Sequence, residues 1–272
     1  MIWTWSKVAL CRSASLDESR MNLTEALKRK LNSIGEPSDD ALAELEALPL
    51  REKFVSRGEE IASDGSRATS CCLLIEGYMH RQKVLRNGGR QILAFHFAGD
   101  IPDLQSLHAP TMDHSLVATT DCRIALIPHA PLKELTHRAS VIGDLLWRDS
   151  LIDAAIFRTW IAMMGRKPAV EHLAHLFCEA FERLAAVGQV EDNHCRLPLT
   201  QEQLADALGL SSVHVNRSLQ ELRDTGLVRF DGRQLTMLDW VRLRQRAEFD
   251  PTYLHLRRRA DFDPEYPVAA FP

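Results

Sequence analysis

The sequence predicts an α+β chain: an N-terminal antiparallel β-roll of the cupin-like jelly-roll kind, a long helix, and a C-terminal winged helix-turn-helix. Three observations carry this. Short β-prone runs separated by turn signals crowd residues 42–131, a helical period runs through residues 137–164, and Leu199 to Val228 reads as helix, tight turn, helix.

With 272 residues, 45% hydrophobic and 26% charged, the chain has the composition of an ordinary globular protein with room for two cored domains. The expected division is an N-terminal extension over 1–20, the roll over 21–136, the long helix and a hinge over 137–166, the winged domain over 167–250 and a tail over 251–272. No run approaches the ~20 apolar residues of a membrane span, and the N-terminus lacks a basic start followed by a long apolar stretch, so a cytoplasmic protein is expected. Cys11, Cys71, Cys72, Cys122, Cys178 and Cys195 are scattered without metal spacing, which predicts buried small hydrophobes rather than a disulfide framework or a zinc site.

Residues 1–20 have no clear period and read either as an arm or as a stretch ahead of a second start at Met21. The next segment, NLTEALKRKLNSIG, is a helical entry. Strands are expected at Lys53-Phe54-Val55, Cys72 to Ile75, Tyr78 to Leu85, Gln91 to Phe97 and Cys122 to Ile127. Asn87-Gly88 between two of them predicts a tight hairpin with positive φ at both central residues. In the long helix Leu145, Ile152, Ile156 and Met163 fall on one stripe, read as a self-pairing seam, with Trp147 and Trp160 turned to the chain's own roll. Gly165-Arg166-Lys167-Pro168 then breaks the helix, and a new one is expected over 169–187.

Thr200 with Gln203 three residues on forms a capping box, and Leu204, Ala205, Ala207 and Leu208 share one face of the helix it starts. Gly209 suits a left-handed C-cap. Ser211 or Ser212 caps a second helix whose Val215, Leu219 and Leu222 turn inward. That leaves Ser212, Val213, His214, Asn216, Arg217 and Gln220 outward, concentrated in the first turns, as in a helix that reads base edges. Arginine grips guanine, asparagine grips adenine, and valine touches the thymine methyl, so Arg217 with Asn216 or His214 is the expected reading set. Thr200, Ser211 and Ser212 are placed near phosphates, and Gln201 is a further expected DNA contact. Leu227 to Phe230 and Arg233 to Met237 around Asp231-Gly232 form the wing.

Net charge is −4, so no global basic field advertises nucleic acid; from Arg196 to Arg246 there are eight arginines against six acids. So slight an excess predicts a dimer that doubles the phosphate contacts.

Gly58-Glu59-Glu60-Ile61, the hairpin from Ile75 to Ile92, FHFAGDIPDLQSL, the long helix and LTQEQLADALGLSSVHVNRSLQELRDTGLV, in that order, resemble the Crp/Fnr superfamily of bacterial transcription regulators over about residues 21–240. The resemblance implies a homodimer on a palindromic duplex, RNA polymerase as a partner, and a roll that senses a signal. It also marks departures. Members that bind cyclic AMP carry a glutamate after Gly-Asp and then an Arg-Ser pair for the phosphate. This chain has Gly99-Asp100-Ile101-Pro102-Asp103-Leu104 and then Met112-Asp113, where a carboxylate repels phosphate. Cyclic AMP in the usual mode is therefore not expected, and Gly99, Asp100, Asp103 and Asp113 stand as roll positions for an unidentified effector. The N-terminal cysteine cluster of the iron–sulfur branch is missing. A haem branch would call on His80, His96, His108, His114 or Cys72. Val213 stands where several relatives carry a glutamate that accepts from cytosine, so a different operator is implied.

No GxSxG, HExxH or phosphate-cradling glycine loop occurs, and no catalytic or metal-binding residue is expected. The rival reading is a ligand- or cyclic-nucleotide-binding signalling protein without specific DNA readout.

Overall fold

The computed structural model describes residues 23–257; expectations for 1–20, Met21 and Cys11, and for the tail beyond 257, lie outside them. The entry helix α1 covers residues 23–34. Helix α2 (Asp39–Glu46) follows, where the sequence pattern suggested strands from residue 42. Its signals are local: Ser38 accepts from the Ala41 N–H, and Asp39 and Asp40 sit at the positive end of the dipole.

The roll holds β1 (Arg51–Val55), β2 (Glu60–Ala62), β3 (Ser70–Glu76), β4 (Met79–Val84), β5 (Arg90–His96), β6 (Ser115–Ala118) and β7 (Cys122–Pro128). They form two antiparallel sheets, ordered β1-β7-β3 and β2-β6-β4-β5. In β3, Cys72 and Leu74 pack between the sheets, while Cys71, Leu73 and Ile75 join the core shared with the helices. Burial on both faces explains why CCLLI is an unbroken apolar run. The β4–β5 turn differs from expectation. Gly88 (φ 83°) has positive φ and Asn87 does not; the Gly88 N–H bonds Leu85 O and the Leu85 N–H bonds Gly89 O. A turn with one left-handed glycine at its end spares asparagine the strained region.

The stretch read as one helix from 137 is two, α3 (His129–Arg138) and α4 (Ser140–Arg166), broken at Ala139. The stripe chosen for self-pairing is corrected here. Leu145, Ile152 and Ile156 are buried in the chain's own core and Met163 is half-buried. The Trp160 ring is inside as well, but Trp147 is 66% exposed. Outward instead lie Val141, Trp147, Leu151, Ile161 and Met164. Trp147, Leu151, Ala154 and Ile161 lie at three- and four-residue spacings on a second stripe, with Asp144 and Arg158 among them, so α4 has apolar residues on two faces, and periodicity alone does not say which meets the roll.

After the break at Pro168 come α5 (Ala169–Ala186), β8 (Val190–Glu191), β9 (His194–Arg196), α6 (Gln201–Leu208), α7 (Ser212–Asp224), β10 (Val228–Phe230), β11 (Gln234–Met237) and α8 (Trp240–Ala247). The wing strands extend a sheet ordered β10-β11-β9-β8. Strands β8 and β9, two and three residues long, were too short to read. Beyond α8, Phe249 and Leu254 are buried, and the tail returns to α1: the Arg257 N–H donates to Ser33 O at 2.7 Å and its guanidinium to Gly35 O at 3.0 Å.

Candidate nucleic-acid interface and the roll cleft

The helix-turn-helix is built by caps. Thr200 Oγ1 accepts from the Gln203 N–H at 3.1 Å, and the Gln203 side chain accepts from the Thr200 N–H at 3.0 Å. Gly209 ends α6 at φ 66°, and Ser211 Oγ accepts from the His214 N–H. Leu204, Ala205, Ala207, Leu208, Val215, Leu219 and Leu222 are all buried, which locks the angle between the helices.

Thr200, Gln201, Ser211, Ser212, Val213, His214, Asn216, Arg217 and Gln220 are all exposed, on one edge of the head. Val213 is 69% exposed, which core packing does not explain. Gln201 and Asn216 join across the two helices: Asn216 Nδ2 donates to Gln201 Oε1 at 3.3 Å. His214 Nδ1 lies 2.9 Å from Ser211 Oγ, and Gln220 Nε2 donates to Asp224 at 2.7 Å. Arg217 has no hydrogen bond or ion pair among the described residues; its five donors face water. Thr200 uses an oxygen lone pair as a cap and keeps a hydroxyl proton to donate.

The cleft under the roll is organised the opposite way. A cavity of about 240 Å³ lies among the roll, α1, α4 and α5, lined by Lys30, Arg81, His96, Asp100, Asp149, Asp153 and Arg183 among others. These charges satisfy one another. Lys30 Nζ donates to Asp100 at 2.9 Å and lies 3.3 Å from Asp149. Arg183 Nη2 donates to Asp100 at 2.9 Å and to Phe95 O at 3.0 Å. Arg81 pairs with Asp153 and donates through Nε to Pro102 O at 2.6 Å. Burial by itself would raise the Asp100 carboxyl, but Lys30 and Arg183 hold it well below the usual range. On α5, Glu179 accepts from Trp160 Nε1 at 3.0 Å and from the Tyr253 hydroxyl at 2.8 Å.

This places the proposed effector positions. Asp100 belongs to the ion cluster. Asp103 is buried and accepts the Cys72 N–H at 2.7 Å, with burial pushing its carboxyl up to about 6 against that bond. Gly99, at φ 98°, lies so close to α1 that a Cβ would stand 2.5 Å from Ala26 O. All three are engaged within the chain, and Asp100 also lines the cavity. Asp113 is exposed at the cavity rim and accepts from or bonds His114 Nδ1 at 2.7 Å. Sequence reasoning missed Lys30, Arg81, Asp149, Asp153 and Arg183, whose partners lie far away in the chain.

Of the residues considered for haem, His80 bonds Thr119 at 2.8 Å and Gln82 at 3.2 Å, and burial lowers its pKa to about 4. His96 also falls to about 4 through burial and the nearby Arg81, and its Nε2 has no partner. His108 is exposed. Cys72 is buried, which pushes its thiol well up. Cys71, Cys122, Cys178 and Cys195 are likewise buried and free, as expected of small hydrophobes. No helix among the described residues is long and apolar enough to cross a membrane.

Comparison with known proteins agrees with both halves. Residues 52–139 match the cyclic nucleotide-binding domain, and residues 171–246 match the Crp-like helix-turn-helix domain. The nitrogen fixation regulation protein FixK of Bradyrhizobium diazoefficiens is 31% identical over 209 residues, covering 76% of this chain and 85% of the relative. The transcriptional activator protein FnrL of Cereibacter sphaeroides is 26% identical over 215 residues, covering 78% and 86%. The structure of FixK2 from Bradyrhizobium japonicum superimposes with a TM-score of 0.66 at 26% identity, over 73% of this chain and 97% of that one. A roll joined through a long helix to a capped, outward-reading helix-turn-helix defines a DNA-binding transcription regulator. Within that class the chain belongs to the Crp/Fnr family.

Proposed function

We propose that the protein works as a homodimer on a two-fold-symmetric operator, in the cytoplasm and without catalysis, with RNA polymerase as the partner at the promoter. Arg217 reads a guanine, Asn216 or His214 makes the second base contact, Val213 meets a thymine methyl, and Thr200, Gln201, Ser211 and Ser212 hold phosphates. The observation that carries this reading is the exposed polar edge of α7, with Arg217 unpaired among the described residues, set by caps and buried leucines so that its first turns project outward. A signal reaching the roll passes along α4 to the heads.

The outward face of α4 supports the dimer: Trp147, Leu151 and Ile161 are large, apolar and exposed at coiled-coil spacing. With this seam, half-site separation follows from the symmetry of the pair. Leu151→Glu is expected to yield a folded monomer that has lost operator affinity; sedimentation as an unchanged dimer would refute the seam. For the readout, Arg217→Ala should weaken duplex binding and relax its base preference while the dimer persists. Specific binding unchanged in that variant would overturn the assignment of α7 as the reading helix, and a wild-type protein that binds no duplex selectively would favour the signalling reading.

A further inference from the structure

Helix α6, the first of the helix-turn-helix, lies in a motif whose first helix crosses the phosphate backbone. Its eight residues, QEQLADAL, include Glu202 and Asp206 and no lysine or arginine. Two carboxylates without a cation on that helix oppose DNA binding. The roll supplies the missing cation. From the first residue of β5, Arg90 Nε donates to Asp206 Oδ2 at 2.6 Å and Nη2 to Glu202 Oε1 at 3.1 Å.

The neighbouring side chain completes the contact. Gln91 Nε2 donates to Ala207 O at 3.2 Å, one of the last carbonyls of α6, which have no partner within the helix. Gln91 also lies 4.0 Å from Met164 Sδ, near the end of α4, and a Cβ on Gly209 would be 3.7 Å from that sulfur. The hairpin, the end of the long helix and the turn of the reading motif thus meet at one junction. None of the outward residues of α7 is covered by it.

We propose that the β4–β5 hairpin is a bracket through which the roll sets the attitude of the reading head, with Arg90 as a positioning residue for DNA binding. Arg90 acts through α6: it neutralises Glu202 and Asp206 and fixes the helix that presents α7 to the groove. The inference rests on DNA reading through α7 and adds that the roll takes part in it directly, over and above the covalent hinge.

The test is a charge-swap cycle, using the full chain and a duplex that the wild-type protein selects from a randomised pool. Arg90→Glu and Asp206→Arg, each alone, are expected to weaken binding about tenfold, the size of an ordinary coupling between sites. Arg90→Glu combined with Asp206→Arg should recover to within about threefold of wild type, a rescue that loss of fold does not give. Thermal melting and sedimentation of each variant report folding and dimerisation separately. Unchanged or tighter binding by Arg90→Glu, or no recovery in the swapped protein, would overturn the bracket. If the wild-type protein selects no duplex, it is the DNA-reading assignment itself that fails.

Discussion

The cleft under the roll and the edge of α7 are both rich in polar side chains, and they differ in what those side chains bond. In the cleft Lys30, Asp100, Arg183, Arg81 and Asp153 are paired within the chain, behind little solvent. On α7 the Arg217 guanidinium and the Val213 methyls face water, and the bonds that Asn216 and Gln220 make are exposed and local. A polar group whose bonds are already made holds a structure together; one whose donors stand free is ready for a partner. By that criterion the charges of the cleft join α1, the roll, α4 and α5.

The contrast can be broken most forcefully in the cleft. Arg183 Nη1 also lies 3.4 Å from Glu179, so Arg183→Ala leaves Asp100 and Glu179 buried without their guanidinium and is expected to cost about 3–5 kcal/mol of stability, read by denaturant unfolding. A loss confined to ligand response, with unchanged stability, would make the cleft a binding site after all. At the reading edge the opposite pattern is expected: Arg217→Ala should lose about 1–3 kcal/mol of duplex affinity with no change in melting temperature.

Acidity sharpens the comparison further. Burial lowers His172 from 6.5 to about 4 and its Nε2 has no partner. The unfolded chain takes up a proton below about 6.5 that the folded one refuses, so stability rises with pH in this window and is lost as pH falls from about 6.5 toward 4. His172→Leu removes that penalty, and its gain, about 1 kcal/mol at neutral pH from the relieved polar group, should grow on acidification. A gain that shrank as pH fell would contradict the assignment. The smallest expected effect is at the cap: Ser211→Ala should cost about 1 kcal/mol of stability and leave base preference intact, checked by melting and by duplex selection.

Much of the reading head was legible in the sequence because its determinants are local. Thr200 and Gln203 lie three residues apart, Gly209 marks the helix end by its own conformation, and Val215, Leu219 and Leu222 share a face by period. The roll was legible as alternating strands and turns. What escaped depends on distant partners. The ion pairs that tie the elements of the cleft together, Lys30 with Asp100 and Asp149, Arg81 with Asp153 and Arg183 with Asp100, join residues 70 or more positions apart and leave no periodic trace. Helix α4 escaped for a different reason: large apolar residues stand on both of its faces, so the stripe of Leu145, Ile152 and Ile156 could be recognised but not assigned to the roll or to a second copy. Ile152→Glu would accordingly strike the fold, whereas Leu151→Glu, one residue earlier, strikes assembly.

The return of the tail to α1 has a consequence in time. Asn32 O, Ser33 O and Gly35 O are the closing carbonyls of the first described helix, and they are met by Arg257, 225 positions after Asn32. During synthesis, α1 and the roll emerge long before the residue that seals them. The nascent roll therefore waits with those carbonyls on water until the reading head has been made, and the clasp between them closes as a late, long-range step of folding.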